Sequence, residues 1–382
     1  MESASHIELS ASALENNITF IRSMLGDTKF SAVVKGNAYG HGIATFCPML
    51  YANGVRHYSV FSAQEAYMVI QDLPKDITVL IMGMIAEEQL PWAIEHDIEF
   101  FVFDDMRLNA AIAQAQKVKK PARIHLELET GMNRTGFALA SLQQVFRKIA
   151  DNKRYVQVIG ICSHLAGAES VANYKRIKVQ YDRFQRVRKM IGKMEGFSPM
   201  FHLACSAASI QYPKTRMHLA RIGILQYGFF PSAEVKVQYF TQHKTHINPL
   251  QRVITWKTYV MDISTVKEGE FIGYGTSFFT NNPTRIAVIP VGYAQGFARS
   301  LSNTGKVLIR GQRFAVIGVV NMNMMIVDIT ESDDIERGDE VVLIGRQGDL
   351  EISVASFGDY SDMVNYELLT RLPADIPRKV VE

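Results

Sequence analysis

Through roughly the first 235 residues, short apolar runs alternate with amphipathic helical stretches, eight times over. The apolar runs are Phe30–Val34, Tyr58–Phe61, Thr78–Met82, Phe100–Phe103, Ile124–Leu128, Val156–Ile161, Met200–Leu203 and Ala220–Leu225. Between them lie stretches of helical period such as Ala63–Gln71, Met106–Gln116, Leu142–Ala150 and Tyr174–Met190. Runs this short and this continuously apolar read as strands buried on both faces, which is the habit of parallel sheets. Eight βα repeats therefore predict an α/β fold beginning with an N-terminal (β/α)8 TIM-like barrel. A doubly wound open sheet is the alternative, but no Gly-x-Gly-x-x-Gly follows the first strand.

After about Phe240 the texture changes. Helical patterns give way to β-rich runs, Val253–Ile263, Ile286–Val291, Val307–Ile309, Phe314–Val320, Met325–Ile329 and Glu340–Ile344, punctuated by glycines. A chain of 382 residues is long for one core. The expected division is a barrel domain over residues 1–240 and a C-terminal, mostly-β domain over 241–382. A net charge of +3, with no run of basic residues, gives no nucleic-acid surface. Three scattered cysteines (Cys47, Cys162 and Cys205) make neither a disulfide scaffold nor a metal site. The N-terminus carries no secretory signal, and no apolar run approaches the ~20 residues that span a bilayer, so the expectation is a cytoplasmic protein.

The polar residues that bear chemistry fall where the predicted strands end. Lys35 ends the first apolar run inside Ala32-Val-Val-Lys-Gly-Asn-Ala-Tyr-Gly-His-Gly42. An ammonium there either snorkels to solvent or, partly desolvated, gives up its proton and becomes a nucleophile toward aldehydes. Glu127 and Arg134 close the fifth run, His164 follows the sixth, Ser206 the seventh, and Arg221 lies in the eighth. In barrels, catalytic groups gather at the C-terminal strand ends, with phosphate near the seventh and eighth. Ser206 with the amides of Gly223 and Ile224 makes a candidate phosphate cradle. The hydroxyls of Tyr39 and Tyr366 either add contacts to it or belong to core-packing aromatics.

The Lys35 segment resembles the pyridoxal-phosphate (PLP) lysine motif of the alanine racemase family, and the likeness continues along almost the whole chain. It includes Thr130-Gly-Met-Asn-Arg-Thr-Gly136, Ser163-His-Leu-Ala166, His202-Leu-Ala-Cys-Ser-Ala207 and Arg221-Ile-Gly-Ile-Leu-Gln-Tyr-Gly228. In the second domain come Gly273-Tyr-Gly-Thr276, Ile289-Pro-Val-Gly-Tyr-Ala-Gln-Gly296, Val320-Asn-Met-Asn323 and Val364-Asn-Tyr-Glu367. The resemblance implies interconversion of L- and D-alanine by two bases, supplying D-alanine for peptidoglycan. Lys35 would hold PLP covalently and serve as one base. Tyr274 would be the other, donated by the partner subunit of a homodimer with shared active sites. Arg221 would face the pyridine nitrogen, Arg134 would touch the cofactor's phenolic oxygen, and His164 would bridge Tyr274 and Arg221. Tyr293 and Met322 of the partner would shape the pocket around the substrate carboxylate, with Arg134 also on the substrate side. A phenol is a poor base at neutral pH unless cations nearby lower its pKa.

Four positions depart from the family's pattern. Glu127 stands where many members have a carbamylated lysine, and its carboxylate would orient Arg134 without carbon dioxide. Cys205 replaces an asparagine, and Gln295 and Asn323 replace aspartates. An amino-acid racemase of broader range, acting on serine or basic amino acids, is the alternative. A basic amino-acid decarboxylase of the same architecture would carry an acid in place of Arg221. A PLP-binding barrel without catalytic activity would lack the second domain.

Overall fold

The structure, a computed structural model, describes residues 3–354 and 365–382, with the backbone alone for residues 365 and 366. A strand β1 (His6–Ser10) and a helix (Ala11–Leu25) precede the barrel. The apolar runs then form β2 (Lys29–Val33), β3 (His57–Val60), β4 (Thr78–Ile81), β5 (Glu99–Val102), β6 (Ala122–Glu127), β7 (Val156–Cys162), β8 (Met200–His202) and β9 (Leu219–Ile222). They pair in parallel in the order β8-β7-β6-β5-β4-β3-β2-β9. A bridge between Cys205 and Arg221, with the Arg221 amide donating to the Ala204 carbonyl (3.0 Å), brings the two ends of this sheet together. Closure pairs backbone groups that an open sheet would leave at its edges, so strands buried on both faces can be rich in apolar residues.

Three of the helices around the barrel start where their sequences supply caps. Ser62 Oγ accepts from the Glu65 amide (3.3 Å), Asp104 Oδ1 from Arg107 (2.7 Å) and Ser232 Oγ from Val235 (3.2 Å). The helix that follows β6 buries one stripe. In Leu142–Asp151 the buried residues are Leu142, Val145, Phe146 and Ile149, the i, i+3, i+4, i+7 spacing of an amphipathic helix.

The chain divides into two units, one holding residues 13–36 and 47–251, the other residues 1–12, 37–46 and 252–382. The second unit is built on a ten-stranded sheet. Its strands are β1, β10 (Ile254–Tyr259), β11 (Asp262–Val266), β12 (Thr284–Ile289), β13 (Lys306–Ile309), β14 (Gln312–Ile317), β15 (Met325–Asp328), β16 (Glu340–Gln347), β17 (Leu350–Ile352) and β18 (Arg378–Val381). Pairing is antiparallel except between β1 and β18. β1 lies inside the stretch expected for the first domain, yet it pairs with β10 and β18. Its alternation explains why: only Ile7 and Leu9 are fully buried, the pattern of a strand with one wet face rather than of a barrel stave. The run Val253–Ile263 is likewise two strands. At Val260 the backbone changes partners, donating to Asp339, while Met261 donates to Val288.

Inside the barrel unit, one buried side chain ties three segments. Asn17 Nδ2 donates to the carbonyls of Gln226 (3.2 Å) and Gln251 (2.8 Å), and its Oδ1 accepts from the Gln251 amide (2.8 Å). Asn17→Leu fits the volume but strands these backbone groups, and should cost about 2–3 kcal/mol in denaturant unfolding. A loss under about 0.5 kcal/mol would show that water satisfies them instead.

Candidate active site

Strand β2 ends with the Val34 amide donating to Ser59 (2.9 Å), and the chain then turns into a short helix, Lys35–Tyr39. Its hand is unusual: Gly36, Asn37, Ala38, Tyr39 and Gly40 all have positive φ, from 51° to 78°. A left-handed turn costs about 1–2 kcal/mol per residue with a Cβ, so Asn37, Ala38 and Tyr39 store about 3–6 kcal/mol. Specific bonds hold it in place. The Gly36 amide donates to Glu65 Oε1 (2.6 Å), whose Oε2 takes the Phe61 amide (2.8 Å). Asn37 Oδ1 accepts from Ile43 (3.0 Å), and the Asn37 carbonyl accepts from Gly42 (2.9 Å). At Gly40 a Cβ would lie 1.8 Å from the Leu369 carbonyl oxygen, so only glycine fits. Strain overruled by this many bonds is typical of a functional turn, and here it follows directly on Lys35.

Lys35 is open to water at the rim of the barrel, yet its ammonium is disfavoured. Surrounding protein lowers its pKa most, the charges of Arg134 and Arg221 add to this, and Glu65 partly opposes them. Burial, and then the charges of Arg221, Arg134 and Lys35, likewise push the His164 imidazole down to about 3. The fold thus gathers Lys35, Arg134, His164 and Arg221 into one electrostatic site. Among the described residues, none of the three cations in it has an ion-pair partner.

Arg221, only 5% exposed, donates through Nη1 to His202 Nδ1 (2.5 Å) and through Nη2 to the Ser163 carbonyl (2.8 Å). It makes no hydrogen bond to the His164 ring among the described residues. Arg134 is exposed on the loop after β6, whose shape is set by Glu129. That carboxylate accepts from the amides of Gly131, Asn133 (2.7 Å) and Arg134 (3.4 Å). Glu127, expected to orient Arg134 directly, instead accepts from Thr135 Oγ1 (2.8 Å). Through that bond the carboxylate steadies the residue beside Arg134 rather than the guanidinium.

Ser206 and Gly223 come together: the Gly223 amide donates to Ser206 Oγ (3.0 Å). Ile224 opens the 3-10 turn Ile224–Tyr227, and its amide has no partner among the described residues. Tyr39 is half-buried at the end of the left-handed turn. The side chain of Tyr366 lies outside the described residues. Donors and cations without ion-pair partners among the described residues fit an anionic group, such as a phosphate ester, and an amine held toward its neutral form fits condensation with an aldehyde.

In the second unit, Tyr274 sits at the tip of a hairpin closed by the Phe271–Phe279 bridge, between Gly273 and Gly275, both left-handed. It is 73% exposed and makes no hydrogen bond among the described residues. Tyr293 and Met322 are brought side by side, because the Tyr293 and Ala294 amides donate to Asn321 (3.0 Å) and Met322 (2.9 Å). A Cβ on Gly292 would meet the Asn321 oxygen at 2.1 Å, which explains the glycine before Tyr293. Gln295 closes the same turn by accepting from the Gly292 amide (3.0 Å).

Sequence reasoning passed over Glu65, Glu129 and a set of polar groups inside the barrel: Ser31, His57, Ser59, Glu99, Arg123 and His125. The signal was present in β6, where Arg123, His125 and Glu127 alternate with apolar residues and so share one face.

Residues 9–231 match the family described as "Alanine racemase, N-terminal domain", and residues 253–380 match "Alanine racemase, C-terminal domain". The alanine racemase of Leptospira interrogans is 32% identical over 99% of this chain and 96% of its own. The solved alanine racemase of Clostridium difficile 630 superposes with a TM-score of 0.90 at 27% identity, over 100% of this chain and 96% of that one. That of Bartonella henselae, described with covalently bound pyridoxal phosphate, does so at 0.86 and 26% identity, over 100% of both chains.

The displaced histidines set a pH dependence. In the unfolded chain His164 and His202 take up protons near 6.5, whereas in the fold His164 resists until about 3 and His202 is held well below its ordinary value. The unfolded state therefore binds more protons as pH falls through this window, and stability should drop from about pH 6.5 downward. Denaturation midpoints at about pH 7.5 and pH 5 test this, with a shallower slope expected in His164→Gln. An equal slope in that variant would mean that His164 is protonated in the fold.

Proposed function

This chain belongs to the alanine racemase family, and we propose that Lys35 and Tyr274 carry its reaction, the interconversion of L- and D-alanine. The family depends on PLP, which when bound supplies an electron sink that acidifies the substrate's α-carbon. Lys35 would hold it covalently, with Ser206, Gly223, Ile224, Tyr39 and Tyr366 around its phosphate, Arg221 at the pyridine nitrogen, and Arg134 at the phenolic oxygen. The observation that carries this reading is the cluster of Lys35, Arg134 and Arg221 without a paired carboxylate, with a lysine amine held toward its neutral form.

Inversion requires a proton to leave one face of the α-carbon and return on the other. Lys35 Nζ serves one face: as a neutral amine it can take a proton, and the adjacent guanidinium charges help it give the proton back. Tyr274 Oη serves the other face, from the partner subunit of a homodimer. Its place on an exposed hairpin tip supports this, as do its exposed neighbours Phe271 (51%) and Phe279 (47%), since apolar groups left in water mark an interface. Tyr293 and Met322, both exposed, would complete the pocket from the same partner, with Arg134 holding the carboxylate end of the substrate. His164, kept neutral by burial and by the cations around it, can pass hydrogen bonds without adding charge. Among the described residues no helix is long and apolar enough to cross a membrane. Supply of D-alanine for peptidoglycan in the cytoplasm is the role that fits.

Racemisation measured across a panel of L-amino acids, with PLP present, tests the assignment; inversion of alanine foremost is expected. Lys35→Ala should lose the covalent lysine–PLP adduct, read by mass after borohydride reduction, and a retained adduct at another lysine would overturn its role. Tyr274→Phe should slow α-proton exchange of one alanine enantiomer by about 10²–10⁴-fold more than that of the other. Equal, small losses for both enantiomers would remove Tyr274 as a face-specific base.

A further inference from the structure

Barrel interiors of this kind are usually filled by branched apolar side chains. Here a line of polar ones crosses the lumen. Arg221 Nη1 donates to His202 Nδ1 (2.5 Å), His125 Nδ1 lies 2.8 Å from His202 Nε2, and Glu99 Oε2 lies 2.7 Å from His125 Nε2. These residues stand on β9, β8, β6 and β5, and the His202–His125 contact joins strands that are not neighbours in the sheet. Such a bond can only run through the interior. Both histidines are 0% exposed and Glu99 is 1% exposed. At its other oxygen Glu99 accepts from Arg123 Nη2 (2.6 Å), whose side chain is 31% exposed.

The order of protons along this line is determined. A guanidinium can only donate, so His202 Nδ1 must accept, and its single proton sits on Nε2. That proton points at His125 Nδ1, which must accept in turn, leaving the His125 proton on Nε2 for Glu99. A carboxylate, which only accepts, ends the line. Reversing any one bond would set two protons face to face at the next joint toward Arg221. Burial and the Arg221 charge keep His202 neutral. Burial alone would raise the Glu99 carboxyl, but the hydrogen bond from His125, with His57 close by, holds it well below the usual carboxylate range.

Space has been cleared for this line. Gly160 of β7 has an ordinary φ, yet a Cβ there would lie 2.3 Å from His125 Nδ1 and 3.0 Å from His202 Nε2. A side chain at that position would occupy the joint between the two rings.

We propose that Glu99 is a positioning residue for the reaction: through His125 and His202 it fixes the proton order that holds Arg221 at the rim, and supplies from within the barrel the negative charge that Arg221 lacks beside it. The inference rests on Arg221 serving at the pyridine nitrogen. The electrostatics of that contact are then set by a carboxylate two histidines away.

Histidine ¹⁵N NMR on the full-length protein, with and without PLP, reads the line directly; signals are assigned by their loss in His125→Gln and His202→Gln. Wild type should show both rings as single Nε2–H tautomers. In Glu99→Gln the new amide can donate to His125 Nε2, so a second tautomer should appear in both rings. The visible band of bound PLP should move, and kcat should fall about tenfold with KM little changed, the effect of about one pKa unit at the reacting site. Glu99→Asp should restore the single-tautomer spectrum, and Gly160→Ala should reproduce the mixed one with Glu99 intact. Arg123→Gln, which removes the partner of the other Glu99 oxygen and leaves Oε2 on His125, should leave tautomers and absorbance as in wild type. A wild-type His202 protonated at Nδ1 would overturn the proposal, and needs no variant to fold. So would a Glu99→Gln protein of normal melting temperature with unchanged tautomers, absorbance and kcat, or an Arg123→Gln protein altered as much as Glu99→Gln. Failure of wild type to bind PLP would sink the cofactor reading, while the tautomers would still decide the proton order.

Discussion

A guanidinium buried without a carboxylate beside it is the constraint on which the barrel unit turns. Removing such a charge from water costs several kcal/mol even after relaxation. The fold meets that cost at Arg221 with neutral acceptors, the Ser163 carbonyl and His202 Nδ1, and with a carboxylate placed further down the lumen. This explains features that apolar packing would not require. His202 and His125 occupy positions that branched hydrocarbons usually fill, Gly160 gives up its side chain to them, and β5 opens with a buried glutamate. A carboxylate in direct contact would have been the simpler remedy. It would also have cancelled the field that Arg221 lays across the strand ends, where Lys35 and His164 both feel it.

The left-handed turn after β2 shows the same exchange at the level of the backbone. Three residues with a Cβ are held where chirality disfavours them, and the compensation comes from Glu65, Asn37 and the close approach at Gly40. A right-handed helix begun at Lys35 would carry the following residues along a different path and leave the Gly36 amide without Glu65. Two letters of the motif thus have a mechanical reason: Gly40 for a space that excludes a Cβ, Asn37 for its tolerance of positive φ and its side-chain acceptor.

Legibility in the sequence followed the physics of each element. The eight barrel strands could be read because strands buried on both faces are continuously apolar, and the second sheet because alternation and glycine turns repeat. β1 was missed because five residues with two buried positions carry too little signal, and its partners lie some two hundred and fifty residues or more along the chain. The rim residues were legible as polar groups ending apolar runs, and the structure gathers Lys35, Arg134, His164 and Arg221 as that pattern suggested. Glu127 was misjudged because proximity in sequence to Arg134 says nothing of which way a strand-end carboxylate points; it bonds Thr135. The interior line was hidden for a different reason. Its members are spaced singly on four strands, and only barrel closure makes them neighbours.

On the proposed reading, the same donor-only chemistry decides what the site does with its charge. Arginine offers protons in hydrogen bonds but does not surrender one at physiological pH. Facing a ring nitrogen of PLP, Arg221 would leave that nitrogen unprotonated, where an acidic residue would share a proton with it. The group would then supply a shallower electron sink, with Lys35 and Tyr274 as the residues that hold and return the proton. A deeper sink would favour proton return elsewhere and reactions other than inversion. His202 does not relieve Arg221 of its proton: burial and the Arg221 charge itself keep the imidazole neutral, with Nδ1 as the acceptor. The arginine's charge and the histidine's neutrality are therefore coupled, and the line ending at Glu99 fixes the direction in which each buried proton points.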